Sequence, residues 1–130
     1  MSNDITVISG NAGLINIIDN GELTLPFQED IYLYTLPIAG INYYIDKNLD
    51  INEKDILIFK REPDNEYDKY AIIVYSSNNE KLGYIPRKNN RIFARLIDAG
   101  KLLIGEVKSV TYFFDEISEI LIRIYMKEFL

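Results

Sequence analysis

Three short apolar runs follow one another through the middle of the chain, at Asp55–Lys60, Tyr70–Tyr75 and Lys81–Ile85. Polar turns separate them. The first turn holds Pro63, Asp64 and Asn65 and carries charges and an aromatic, Tyr67; the second is Ser76-Ser77-Asn78-Asn79-Glu80. Asp55–Lys60, with Ile56, Leu57, Ile58 and Phe59, reads as a buried strand. The five-residue turn at 76–80 predicts a hairpin between 70–75 and 81–85. Strands in succession with tight turns favour an antiparallel barrel or sandwich, and a small barrel removes the exposed edges of an isolated sheet of this size.

The flanking segments fit the same architecture. Asp30–Leu36 is rich in aromatic and aliphatic residues and reads as a strand, punctuated by Pro37 and Gly40. Residues 45–54 are polar and turn-prone. After Pro86 the apolar period lengthens: Ile92, Phe93, Leu96 and Ile97 fall on one helical stripe, opened by Asn89 or Asn90 as cap and closed by Gly100. Leu102–Tyr112 and Glu119–Met126 alternate as two final strands joined around Phe113-Phe114-Asp115-Glu116. Asn11–Gly21 is compatible with a short helical turn ended by its glycine, and Leu23–Phe27 with an extended connector. The expectation is a mainly β chain: a small antiparallel OB-like or SH3-like barrel of about six strands with one or two helices. Residues 1–29 form an extension, and 30–130 the barrel domain.

Composition narrows the chemistry. The 130 residues suit one domain, and 48% hydrophobic residues suffice for a core. With no cysteine there is no disulfide and no thiol nucleophile, and with no histidine there is no imidazole base and no Cys/His zinc site. Any metal would have to be hard and oxygen-ligated. No apolar run approaches membrane-spanning length and the N-terminus lacks a signal-peptide pattern, so a cytoplasmic location without membrane contact is expected. The net charge of −6 speaks against nucleic acid, but its distribution is uneven: residues 1–59 carry −7, residues 60–104 carry +3 and residues 105–130 carry −2. The middle that holds the turns is locally basic.

Several side chains stand where they could act. Asp64, Glu66 and Asp68 alternate as in a calcium loop, but Lys69 replaces the required glycine and Tyr75 the closing glutamate, which rejects that reading. Among 10 tyrosines and 6 phenylalanines, those beside turns stand out: Tyr43, Tyr44, Tyr67, Phe113 and Phe114. If extended, Tyr43 and Tyr44 face opposite ways, one packed and one exposed as a platform for a base. Asp68 suits either a turn that binds nearby backbone N–H groups or a ligand contact. Arg87, Lys88, Arg91 and Arg95 form the main cationic cluster. Arg91 and Arg95 share a helix face, and Arg87 with Lys88 precede a helix N-terminus that favours anions.

Four segments in order, Ile38-Ala39-Gly40-Ile41-Asn42-Tyr43-Tyr44, Arg61–Asp68 with Ala71, Leu82-Gly83-Tyr84-Ile85-Pro86-Arg87 and Leu96-Ile97-Asp98-Ala99-Gly100, resemble the HIRAN domain over roughly residues 30–112. The resemblance is to its free-standing bacterial form rather than to the module fused to a fork-remodelling ATPase. It implies an OB-like barrel that binds single-stranded DNA and captures its 3′ end. Carried over by position, Tyr43 and Tyr67 match residues that stack on terminal bases, Asp68 the acceptor of the 3′-hydroxyl, Arg87 a phosphate contact, and Phe113 or Phe114 a further aromatic. Asn42 stands where the DNA-binding relatives have arginine, and Glu66 where they often have proline.

The expected function is therefore a non-enzymatic module, without cofactor or metal, that binds single-stranded DNA 3′ ends weakly and salt-sensitively. Its nucleic-acid-binding residues would be Tyr43, Tyr44, Tyr67, Asp68, Arg87, Lys88 and Phe113. Two alternatives are a protein-interaction or regulatory module that has lost DNA binding and a metal-dependent nuclease accessory.

Overall fold

A computed structural model of the chain describes residues 18–19, 22–23 and 28–129, with side chains from 30 to 128. Among the described residues, eight strands and two helices follow in the order β1 (Ile18–Asp19), β2 (Glu22–Leu23), β3 (Gln28–Pro37), α1 (Ile41–Tyr44), β4 (Ile56–Arg61), β5 (Ile72–Ser76), β6 (Lys81–Tyr84), α2 (Asn90–Asp98), β7 (Leu102–Phe113) and β8 (Glu116–Phe129). Ile18 and Asp19 pair with Leu23 and Glu22, so a β ladder occupies part of the segment expected to be helical; the rest of Asn11–Gly21 lies outside the described residues.

The main sheet has the order β3-β8-β7-β4-β5-β6, all antiparallel. It curls into a half-barrel, and its two edges meet at one bridge. The Ala39 N–H donates to the Tyr84 carbonyl at 2.8 Å, and the Tyr84 N–H donates back to the Ala39 carbonyl at 2.9 Å. Gly83 permits this approach: a Cβ there would lie 2.2 Å from the Ala39 carbonyl oxygen and 2.7 Å from Ile38 Cγ2. The expected mainly β barrel of about six strands is thus the observed architecture. The 70–75/81–85 hairpin forms, as do the two long final strands. Their connection is the two-residue loop Phe114-Asp115, with both residues left-handed at φ 51° and 64°. That geometry matches the twist of a tight hairpin, although a bulky residue such as Phe114 adopts it reluctantly.

Leu57, Val74, Leu82, Val107, Ile120, Ile122 and Ile124 fill the concave side and are inaccessible to solvent. Two expectations about burial change. In β4 only Leu57 is buried; Ile56 and Ile58 stay 44% and 45% exposed. An unbroken apolar run predicts burial on both faces, but β4 is covered on one. Ile58 instead joins a row across the outer face, paired with Ile104 on one side and Tyr75 on the other, with Ile104 paired to Tyr125 and Tyr125 to Tyr32. Cross-strand contacts of this kind hold side chains that the core does not need.

In α2, Phe93 and Ala94 are buried and Leu96 and Ile97 pack against the core, but Ile92 is 63% exposed. The inward stripe is completed by Asn90, 2% exposed. The helix therefore sits about one residue off the rotation that its apolar pattern predicts. Asn89 holds the cap position without a side-chain cap bond. Among the described residues no helix is long and apolar enough to cross a membrane.

Candidate functional site

The turn between β4 and β5 is built by its own side chains. Asn65 Oδ1 accepts from the backbone N–H groups of Tyr67 at 2.8 Å and Asp68 at 3.0 Å. Asp68 Oδ1 accepts from the Tyr70 N–H at 2.9 Å. Such side-chain turns replace the ladder bonds the loop cannot make. Arg61, at the end of β4, then ties the loop to the helix. Its guanidinium donates to the carbonyls of Ala71 at 2.6 Å and Lys69 at 2.8 Å, and pairs with Asp98 at 2.9 Å and 3.2 Å. The loop is thereby held rigidly, with the Tyr67 ring outside it and 79% exposed.

Asp68 is positioned from two sides. Besides the Tyr70 N–H, its carboxylate accepts from Asn90 Nδ2, 2.7 Å from Oδ2. Asn90, a candidate helix cap by its sequence position, works instead as a buried buttress, which is why the helix turns a polar residue inward. A carboxylate has about four lone-pair sites, so Asp68, half-buried, keeps acceptor capacity on both oxygens. Arg87 reaches the same loop and donates to the Tyr67 carbonyl at 2.9 Å. Tyr67, Asp68 and Arg87 therefore stand together, with Lys88 exposed beside them.

Tyr43 and Tyr44 enter from the other side of the sheet closure. Gly40 is left-handed (φ 79°) and starts the single turn of α1. Buried Ile41 anchors that turn, and both tyrosines are exposed, Tyr43 at 88% and Tyr44 at 42%. The expected opposite facing fails because the segment is helical rather than extended. Tyr44 packs edge-on against Tyr84, centroids 5.8 Å apart, and Tyr43 against Tyr44 at 6.5 Å.

Between the two groups runs a polar relay. The Tyr84 hydroxyl donates to Glu62 at 2.8 Å, and Asn65 Nδ2 donates to the same carboxylate at 2.6 Å. Lys81 donates to the Tyr84 hydroxyl at 3.2 Å and lies over the rings of Tyr44 (4.2 Å) and Tyr84 (4.8 Å). Tyr43, Tyr44, Tyr84, Glu62, Asn65, Tyr67 and Asp68 thus form one unbroken line of contacts. Sequence reading missed Tyr84, Lys81, Glu62, Asn65 and Asn90 as working parts. Tyr84 and Lys81 belong to a segment with a clear strand signal, but their partners are distant in sequence.

The relay shifts its own ionisations. The Asn65 amide first, then the Tyr84 hydroxyl and the Lys81 charge, hold the Glu62 carboxyl below its ordinary value of 4.5 against a smaller opposing effect of burial. Burial, then donation to Glu62, pushes the Tyr84 phenol up. Burial alone would lower Lys81, but Tyr84, Tyr44 and Glu62 together outweigh it and raise the ammonium. A depressed carboxylate contributes stability that is present above its unfolded-state pKa and lost as pH falls through the folded-state value. Glu62→Gln is accordingly expected to cost about 1 kcal/mol at neutral pH, the worth of an ordinary hydrogen bond. That cost should shrink towards zero well below pH 4.5. Urea midpoints of both chains at the two pH values check this, and an equal cost at both would contradict it.

Two open grooves flank the line. One, of about 720 Å³, lies along α2 and includes Lys88; the other, of about 660 Å³, lies between the α1 end and the β7–β8 tip and includes Asn42 and Phe113. Tyr43, Tyr67, Asp68 and Arg87 line neither groove and are joined instead by the line of contacts described above. Phe113 and Phe114 meet edge-on, centroids 4.4 Å apart, on the hairpin tip, 64% and 84% exposed, on the groove that reaches Asn42. Among the described residues no three acidic side chains are grouped to hold a metal ion.

Comparison with known proteins agrees with this architecture. The helicase-like transcription factor of Mus musculus is 30% identical over 79 residues, covering 58% of this chain and only 8% of that protein. A crystal structure of a protein from Lactobacillus plantarum superposes with a TM-score of 0.68 at 27% identity, over 78% of this chain and 98% of that one. The crystal structure of the HIRAN domain of human HLTF superposes with a TM-score of 0.59 at 20% identity, over 75% and 78% of the two chains. The sequence pattern of the HIRAN domain family matches residues 31–127, from within β3 to within β8, and on that match the chain belongs to the HIRAN domain family.

Proposed function

We propose that this chain is a non-enzymatic recognition module for single-stranded DNA that holds a free 3′-OH end at Asp68. Membership of the HIRAN family supports DNA as the ligand class, since the HIRAN domain of HLTF has a structure in its DNA-bound conformation. The observation that carries the finer reading is the state of Asp68: a carboxylate fixed by Tyr70 and Asn90, with acceptor capacity left over, beside an exposed aromatic and an arginine. Tyr67 and Tyr43 offer faces for the last bases, each worth ~1–3 kcal/mol on stacking. Tyr44 supports Tyr43, Phe113 offers a further ring, and Arg87 with Lys88 binds backbone phosphates. Residues 1–29 flank this module as an extension.

An ionised carboxylate only accepts hydrogen bonds, so it takes a hydroxyl donor and repels a terminal phosphate. Asp68→Ala should therefore erase roughly tenfold of the preference for 3′-OH over 3′-phosphate strands, the worth of a hydrogen bond to a charged group. Arg87→Ala should weaken both strands alike, because a phosphate contact carries no information about the terminus. Fluorescence polarisation with the two strand types reads both effects. An Asp68→Ala chain that keeps the full preference overturns the assignment.

A further inference from the structure

Apart from Lys88, the groove along α2 takes no part in the end capture proposed above, yet it abuts the residues assigned to it. Its floor is apolar: Tyr34 on β3 is 48% exposed and Ile92, next to buried Phe93, is 63% exposed. Its rim is cationic: Lys88, Arg91 and Arg95. Among the described residues no acidic side chain pairs with any of the three, in a chain of net charge −6. Arg91 also lies over the Tyr70 ring at 5.7 Å, which orients it. The groove's near end joins the 3′-end residues directly, because Lys88 follows Arg87 and the first residue of α2, Asn90, is hydrogen-bonded to Asp68.

We propose that this groove carries the strand on the 5′ side of the captured end, with Arg91 and Arg95 on its phosphates and Tyr34 and Ile92 against its bases. The inference rests on the end-binding reading above. Unpaired cations alternating with an exposed ring and an apolar side chain are what a single strand needs and a double helix does not: charge for the backbone and flat or apolar surface for unpaired bases. Arg91 and Arg95, four residues apart on α2, stand about 6 Å apart along the helix axis at ~1.5 Å per residue, so each can take a separate phosphate. An acidic peptide would satisfy the rim, but continuity with Asp68 and Arg87 favours the strand.

The test compares a 3′-OH dinucleotide with a 3′-OH octanucleotide on the full chain, each titrated at several salt concentrations. The octanucleotide should bind more tightly and with a steeper salt dependence. In Arg91→Ala/Arg95→Ala its log–log slope should fall by about 1.4, at ~0.7 for each phosphate no longer neutralised, with dinucleotide affinity unchanged. Arg91→Lys/Arg95→Lys should retain the slope, which separates charge from any effect on folding. Equal affinity and slope for the two lengths, or an alanine variant that weakens both by the same factor, overturns the path while leaving end capture intact. Failure of both ligands to bind overturns end capture as well.

Discussion

Gly83→Ala should destabilise the chain by about 3 kcal/mol or more, the upper range for forcing a methyl into a packed site. The added carbon would stand 2.2 Å from a backbone oxygen, that of Ala39, and 2.7 Å from Ile38 Cγ2. Neither is the free end of a flexible side chain. Ile38 is 5% exposed and bonded through its own N–H to Ile120, so it cannot swing aside. Relief requires that the end of β3 leave β6, which breaks both bonds of the Ala39–Tyr84 bridge and opens the sheet where its edges meet. The same movement displaces α1, which starts at the next glycine, and separates Tyr44 from Tyr84. Nucleic-acid affinity should fall with stability even in urea-free buffer. A loss below about 1 kcal/mol, measured by urea unfolding, would mean that the closure is not fixed as described.

Phe93→Ala is expected to cost ~3–5 kcal/mol, the range for removing a buried aromatic. Phe93 is 6% exposed, packs with the sheet core and stands 6.4 Å from the Tyr34 ring. It is the largest side chain that fastens α2 to the barrel. Losing it frees the helix that carries Asn90, and with it one of the two donors that hold Asp68. Ile92→Ala, one position away, should change stability by less than about 0.5 kcal/mol, as surface substitutions usually do. The pair of unfolding curves distinguishes the observed rotation of α2 from the one its apolar pattern suggests, under which the two substitutions would cost comparable amounts.

That rotation illustrates what the residues reveal unaided. The strands of 70–75 and 81–85, the helix after Pro86 and the two long closing strands are legible because each rests on local period and turn chemistry. The rest depends on distant partners. Ile92 is exposed because Asn90 takes the inward position, and Asn90 does so because Asp68, 22 residues earlier, needs its amide. Ile56 and Ile58 look buried from their run of apolar neighbours, yet only tertiary packing decides that β4 has one open face. The opposite facing of Tyr43 and Tyr44 holds only for an extended segment, and nothing in the dipeptide announces the left-handed Gly40 that starts a helical turn there. Arg61, which links the Tyr67 loop to Asp98 across 37 positions, has no local signature at all.

End recognition at Asp68 is tested most directly by titrating the unmutated chain at low salt with two short single strands that differ only in carrying a 3′-OH or a 3′-phosphate. A carboxylate held by Tyr70 and Asn90 predicts tighter binding of the 3′-OH strand by roughly tenfold, with the preference kept at every salt concentration at which binding is measurable. Equal affinity for the two strands would contradict capture of the terminus at Asp68.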